Sequence, residues 1–325
     1  MVANPASGKD IRRLVSYATV IDNLEKVNIC KRVVLAAQAM GIQAVYFMMD
    51  TFQIGFTVQE DLQREGVLST EIKILDIPYT ASADDSTNAA AEMERLGVGC
   101  VVVLGGDGTS RAVAKGINSM PILPVSTGTN NVYPVLMEGT VAGMAAAMAA
   151  VLGNHTCCIR DKRIKIFING EFKDIALIDA VLSDMLYVGS KAIWDTASIQ
   201  RIVVTRCRPS NIGFSAIPGC IQAVRDTDDY GFVLTTGKSG RFVCAPVAAG
   251  MIEKVYVQDA QVQPLGASPA IVAESSGMLA LDGEREIKIK KGDNLEFRIE
   301  RDGPWRVQFH EILEEARKRG FFTKE

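Results

Sequence analysis

Residues 101–109 constrain the fold of this chain more than any other stretch. Val101, Val102, Val103 and Leu104 form an unbroken apolar run, and Gly105, Gly106, Asp107, Gly108 and Thr109 follow directly, before Ser110, Arg111 and a short helical pattern. A buried strand that passes through a glycine turn into a helix start belongs to a parallel sheet flanked by helices. Such a turn brings bare backbone N–H groups to the carboxyl end of the strand, where open α/β sheets bind ligands and where a helix N-terminus favours phosphate. Asp107 is the one fixed negative charge in the turn. That is a poor choice for holding phosphate and a sensible one for a general base or a magnesium partner. The structural alternative is a tight turn with Asp107 as the N-cap of the helix.

The neighbouring sequence fits that frame. Ile29, Val33, Ala36, Ala37 and Met40 form a helical stripe closed by Gly41, and residues 43–49 read as a strand. Ile72, Ile74 and Ile77 mark another strand, a helix is expected from Ser86 or Thr87 to Gly97, and residues 122–125 supply the strand after the glycine turn. Beyond Gly153 the period changes to alternation. Ile164, Ile166 and Ile168 run into Asn169-Gly170, a two-residue hairpin signal, and strands are expected at 201–205, 232–235, 254–257, 278–281, 286–289 and 295–299. Phe309, Ile312, Leu313 and Ala316 return to helical spacing, with Gly320 as the stop. A chain of 325 residues exceeds the usual size of one core. The expected organisation is an α/β domain with a parallel sheet over residues 1–141, a β-rich domain over 142–306 and a helix within 307–325.

Composition narrows the function. With 48% hydrophobic and 22% charged residues and a net charge of -3, the chain gives no reason to expect a nucleic-acid partner, and small molecules are expected instead. The 7 cysteines are scattered, with no secretory leader, and are expected as reduced thiols of a cytoplasmic protein. With 2 histidines and no C-x-x-C pair, neither a zinc site of common spacing nor a histidine-based triad is well supplied, and the metal ligands stay unassigned. The alanine-rich stretch 141–152 is too short for a membrane span, which takes roughly 20 residues, and reads as a buried helix.

Three further motifs carry polar chemistry. Ser126, Thr127, Gly128, Thr129, Asn130 and Asn131 follow the strand at 122–125, beside the first turn if the two strands are neighbours; alone they also read as a loop with a helix cap. Asn4, Pro5, Ala6, Ser7, Gly8 and Lys9 lack the spacing of a Walker A loop, and read either as a phosphate-binding turn or as a mobile N-terminus. Asp282-Gly283-Glu284 lies between strands and reads locally as a hairpin turn.

Taken together, N-P-A-S-G-K, G-G-D-G-T, T-G-T-N-N and D-G-E, in this order and over nearly the whole chain, resemble the superfamily of NAD kinases, diacylglycerol kinases and sphingosine kinases. Residues 7–14 and 126–132 look most like the acetoin catabolism X proteins (AcoX), an ATP-NAD kinase-like branch. The resemblance implies a Rossmann-like N-terminal domain, a β-rich C-terminal domain, a terminal segment packed back on the first domain, and ATP- and magnesium-dependent phosphoryl transfer in the cleft. It implies that Asp107 acts on the acceptor hydroxyl. Asn4, Pro5, Ser7, Gly8, Lys9, Gly105, Gly106, Gly108, Thr109, Ser110, Arg111, Thr127, Gly128, Thr129 and Asn130 are then expected at the nucleotide. Asn131, Asp179, Asp282 and Glu284 are expected at the acceptor. NAD kinases carry an Asn-Glu pair that binds the dinucleotide; its counterpart here is Ile178-Asp179, where the asparagine is missing. The acceptor is therefore expected as a small metabolite, with NAD one candidate. A lipid kinase and a non-catalytic nucleotide-binding regulatory protein are the alternatives. A homo-oligomer is expected.

Overall fold

The computed structural model describes residues 1–7, 17, 19, 21–184, 196–283 and 285–323. Its first half alternates strand and helix: β1 (Val2–Ala3), α1 (Asn23–Ala39), β2 (Ala44–Phe47), α2 (Ile54–Arg64), β3 (Glu71–Ile74), α3 (Ala83–Arg95), β4 (Val101–Gly105), α4 (Asp107–Gly116), β5 (Ile122–Ser126) and α5 (Gly139–Leu152). The second half is nearly all strand. It runs through β6 (Cys158–Arg160), β7 (Arg163–Ile168), β8 (Glu171–Ala176), β9 (Asp179–Ser183) and β10 (Ile199–Val204) to the single turn α6 (Ala216–Gly219). There follow β11 (Tyr230–Thr236), β12 (Phe242–Ala248), β13 (Met251–Pro264), β14 (Ala270–Val272), β15 (Gly277–Leu281), β16 (Arg285–Ile289), β17 (Asn294–Glu300), β18 (Trp305–Val307) and α7 (Phe309–Lys318).

The central strand β4 is buried throughout and divides two cores by its alternation. Val102 and Leu104 face a cluster built from α1, α5 and α7, while Val101 and Val103 face Ala89, Met93 and Val113 of α3 and α4. This two-sided burial is why the strand reads as a continuous apolar run. β1, β4 and β5 pair in parallel, and β18 adds to β5 in parallel before taking β6 as an antiparallel edge. β2 and β3 form a separate parallel pair, tied to β1 by the Met48 N–H donating to the Met1 carbonyl at 3.0 Å.

The alanine-rich stretch is a buried helix, as its length implied. It lies so close to α1 that a Cβ on Gly143 would stand 2.4 Å from the Val33 carbonyl oxygen. Among the described residues no helix is long and apolar enough to cross a membrane. The C-terminal helix returns to the first half, with Ile312 and Ala316 buried in the α1 and α5 core. α3 starts at Ala83, ahead of the expected Ser86, because Ser82 and Asp85 close a capping box around its first turn.

The β-rich half is a sandwich of a seven-stranded sheet (order β12-β13-β11-β10-β9-β15-β16) and a four-stranded sheet (order β14-β17-β7-β8). Ile164, Ile166, Val203, Leu279 and Phe297 fill the space between them. Asn169 and Gly170 make the expected hairpin, both at positive φ. Ile175, Leu177 and Ile178, around the β8–β9 connection, leave the sandwich and bury against the second face of the parallel sheet. The cysteines are all free thiols.

Candidate active site

Three turns meet at the carboxyl ends of β1, β4 and β5. Gly105 of β4 pairs with Ser126 of β5, and its carbonyl accepts the Thr127 N–H at 3.2 Å, so the two glycine-containing turns lie side by side. Gly105 could be nothing larger, since a Cβ there would meet the Thr109 side chain at 2.6 Å. Gly106 holds the N-cap position of α4 and contributes no side chain to it, whereas Asp107 is the first helical residue. The N-cap alternative for Asp107 is thereby corrected. Its half-buried carboxylate reaches across to the second turn, where Oδ1 accepts the N–H groups of Val132 at 3.0 Å and Tyr133 at 2.8 Å, and Oδ2 stands 3.1 Å from the Val132 N–H.

The N-terminal turn closes the group. Asn4 continues β1 beside β4, its N–H on the Leu104 carbonyl and its Nδ2 on the Thr109 hydroxyl at 3.0 Å. The Ser7 hydroxyl meets the Thr127 hydroxyl at 3.2 Å and the Asn4 carbonyl at 2.8 Å. Gly8 and Lys9 lie outside the described residues. Lys26 of α1, fully buried, donates from Nζ to the carbonyls of Asn4 at 3.0 Å and Ser7 at 2.9 Å, with that of Pro5 at 3.5 Å. Sequence reasoning missed Lys26. The signal was its position three residues before Ile29, on the apolar stripe of α1, where a cation needs buried partners.

The remaining predicted residues divide. Asn131 donates from Nδ2 to the Ser126 hydroxyl at 2.7 Å, and Thr129, exposed, accepts the Thr19 N–H at 3.2 Å; half-buried Asn130 stands beside it. Gly108 and Gly128 are buried in their turns. The Ser110 hydroxyl turns inward to the Gly106 carbonyl at 3.1 Å. Arg111 is 4% exposed and donates to the Leu281 carbonyl at 2.6 Å, which joins α4 to the β-rich half.

That contact seats the Asp282-Gly283 turn one helical turn along α4 from Asp107, about 6 Å of rise. Asp282 is buried at φ 48°, and its carboxylate accepts N–H groups from Leu177, Ile178 and Asp179 at 2.8 to 3.1 Å. Burial, the largest influence, raises its pKa above the ordinary aspartate value against the pull of Arg111 and these N–H groups. Asp179, also buried, returns its carbonyl to the Asp282 N–H at 2.9 Å. Glu284 lies outside the described residues.

A second unit was not visible in the motifs. The Tyr133 hydroxyl donates to Asp161 at 2.6 Å, and Asp161, fully buried, also receives Arg206 Nη2 and Arg306 Nε, each at 2.8 Å. Both guanidinium groups lie over the Tyr133 ring, at 5.0 and 5.6 Å. Burial alone would raise the Asp161 carboxyl, but the two arginines outweigh it and hold the pKa far below the ordinary range. The node therefore ties the second turn to β18 and to the segment after β10. Among the described residues no group of three His, Cys, Asp or Glu is placed to hold a metal ion.

Comparisons with known proteins follow this division of the molecule. Residues 8–153 match the model of the ATP-NAD kinase N-terminal domain, and residues 162–302 match that of the acetoin catabolism protein X C-terminal domain. Over 307 residues the chain is 36% identical to acetoin catabolism protein X of Cupriavidus necator, an alignment covering 91% of this chain and 85% of the relative.

Proposed function

We propose that this chain, which belongs to the acetoin catabolism protein X family, transfers the terminal phosphoryl group of ATP to a hydroxyl of a small metabolite. The observation that carries the reading is the position of Asp107, a half-buried carboxylate at the first residue of a ten-residue helix, with two more strand-end turns around it. The glycine N-cap, bare of any capping side chain, suits phosphate at the first-turn N–H groups. Gly106, Gly108, Thr109 and Thr127 would hold the phosphates, with Asn4, Pro5 and Ser7 shaping their approach. Asp107 would orient the acceptor hydroxyl and take its proton, while Asn131, Asp179 and Asp282 border the acceptor side. Catalysis of this kind rests mostly on positioning and charge neutralisation. Magnesium would be held mainly by the nucleotide phosphates and water.

The reading includes a cytoplasmic location, a homo-oligomeric assembly and domain limits near residues 141 and 306. NAD stays among the acceptors to test rather than at their head, since Ile178 stands where NAD kinases carry asparagine. The test is an ADP-release screen of the purified chain with magnesium and ATP against NAD, NADH, hydroxyketones, diols and lipids. ADP formation with a small hydroxyl compound supports the reading. Phosphorylation of lipids alone would replace it with a lipid kinase, and ATP binding without ADP formation would replace it with a nucleotide-binding regulator.

A further inference from the structure

The β-rich half contains a groove of about 530 Å³ at the mouth of the sandwich, within the range of about 300–1,000 Å³ common for small-molecule sites. Its floor is apolar: Val203 and Val233, paired across β10 and β11, and Phe297 of β17 are all buried. Its roof is the segment from Pro264 to Ile271, and that roof is fastened. Gln263, 4% exposed, donates from Nε2 to the carbonyls of Ala267 at 2.8 Å and Phe297 at 2.6 Å, and the Gly266 N–H donates to the Ile299 carbonyl at 2.9 Å. The roof is thus fixed to the sandwich by the chain's own hydrogen bonds.

One cation enters it. Arg201 is half-buried, and among the described residues it makes no ion pair and no side-chain hydrogen bond. Two register shifts bracket it, one between Ile199 and Arg201 on β10 and one between Thr235 and Thr236 on β11, and Thr235 is the residue opposite Arg201. Bulges of this kind re-aim side chains and recur beside binding sites. Asp259 and Glu274 act on Arg201 electrostatically without pairing with it. Both acids are exposed and so screened by solvent, and they penalise a dianion such as a phosphate monoester more than a single negative charge, which the guanidinium fork at the groove matches with a carboxylate.

We propose that this groove is a binding site for a small carboxylate with an apolar body, separate from the nucleotide turns. Val204, at the far end of β10, is followed by Thr205, whose N–H donates to the Ile178 carbonyl at the parallel-sheet face. Arg201 lies four residues back, about 13 Å along the strand. The site stands whether or not the chain is a kinase.

The test titrates hexanoate and 4-phenylbutyrate, with hexanamide and 4-phenylbutyramide as neutral counterparts, into the whole chain by ligand-observed NMR. Each acid is expected to bind about tenfold or more tightly than its amide, the size of a lost hydrogen bond to a charged group. Arg201→Met should bring the acids down to the amides, Arg201→Lys should fall between, and ATP affinity should be unchanged in both. Equal binding of acid and amide, full acid binding by Arg201→Met, or no binding of any probe at millimolar concentration overturns the proposal. If Arg201→Met does not fold, as read by melting, Arg201→Lys decides, because undiminished acid binding without the fork defeats the assignment. A dimeric parent chain that becomes monomeric in Arg201→Met would put a second copy in the groove and overturn it as well.

Discussion

Tyr133 is held at its two ends by two carboxylates whose surroundings differ. Asp107 grips its backbone N–H from a half-buried position at the strand ends, with backbone N–H groups as hydrogen-bond partners. Asp161 grips its hydroxyl from full burial, neutralised by Arg206 and Arg306. A buried carboxylate between two guanidinium groups is fixed in charge and geometry, which suits a brace. A half-buried one at the strand ends, gripping two backbone N–H groups of the neighbouring turn, stands at a place where a ligand can come. The same residue type thus serves as brace at one end of Tyr133 and as candidate catalyst at the other.

The largest expected effect tests the catalyst. Asp107→Asn keeps an oxygen where Oδ1 accepts from both Val132 and Tyr133, so the clamp between the turns should survive while the charge is lost. Turnover should fall about 10²- to 10⁴-fold, the usual cost of removing a general base, with the melting temperature and ATP affinity little changed. Asp107→Ala should lose turnover and stability together, because the clamp goes as well. Full turnover by Asp107→Asn, measured with any acceptor that the parent accepts, would reduce Asp107 to a second brace.

Asp161→Asn should do the converse. It leaves half-buried Asp226 as the one carboxylate still paired with Arg206 and Arg306 among the described residues, so the loss should approach but not exceed the about 3–5 kcal/mol of breaking a buried pair. The acid behaviour follows from the depressed pKa of Asp161. Its contribution is fully present above the unfolded-state value of about 3.9 and is lost as pH falls below that toward the folded-state value. Urea unfolding from pH 7 down to pH 3 should show a steeper acid loss in the parent than in Asp161→Asn. Parallel curves would mean that Asp161 is not the charged centre of the node.

The two carboxylates were unequally legible in the sequence. Asp107 stood out because its surroundings are local: an apolar run, three glycines and a helix start within nine residues fix its position without knowledge of the rest. The same locality made α1, β4, α5 and the Asn169-Gly170 hairpin readable. Asp161 depends on partners 45 and 145 residues away in sequence, Arg206 and Arg306, and on β6 and β18, strands of three residues each whose place is set by the sheet they join. No pattern in so short a strand announces its register. α2 was missed for a different reason. Its buried Ile54, Val58 and Leu62 do recur at helical spacing, but Gly55 and the polar residues between them weaken the pattern. Asp179 and Asp282 were expected from resemblance, whereas the hydrogen bonds between them are a product of the fold.

The smallest expected effect probes the residue the two carboxylates share. Tyr133→Phe removes the hydroxyl that donates to Asp161 and leaves both the N–H held by Asp107 and the ring beneath the two guanidinium groups. Losing one hydrogen bond to a charged group costs about 1.5–3 kcal/mol, less than removing the charge itself, because Arg206 and Arg306 still pair with Asp161. Burial and the adjacent Asp161 push the Tyr133 phenol well above its usual range, so this donor is in place across neutral and mildly alkaline pH. Stability should therefore fall by that amount evenly across neutral and mildly alkaline pH, while turnover at saturating ATP is retained. Retained turnover with lowered stability would confirm that the brace and the catalyst act separately through one residue. Lost turnover in a stable variant would mean that the node sets the position of Asp107, and the division of labour between the two carboxylates would have to be abandoned.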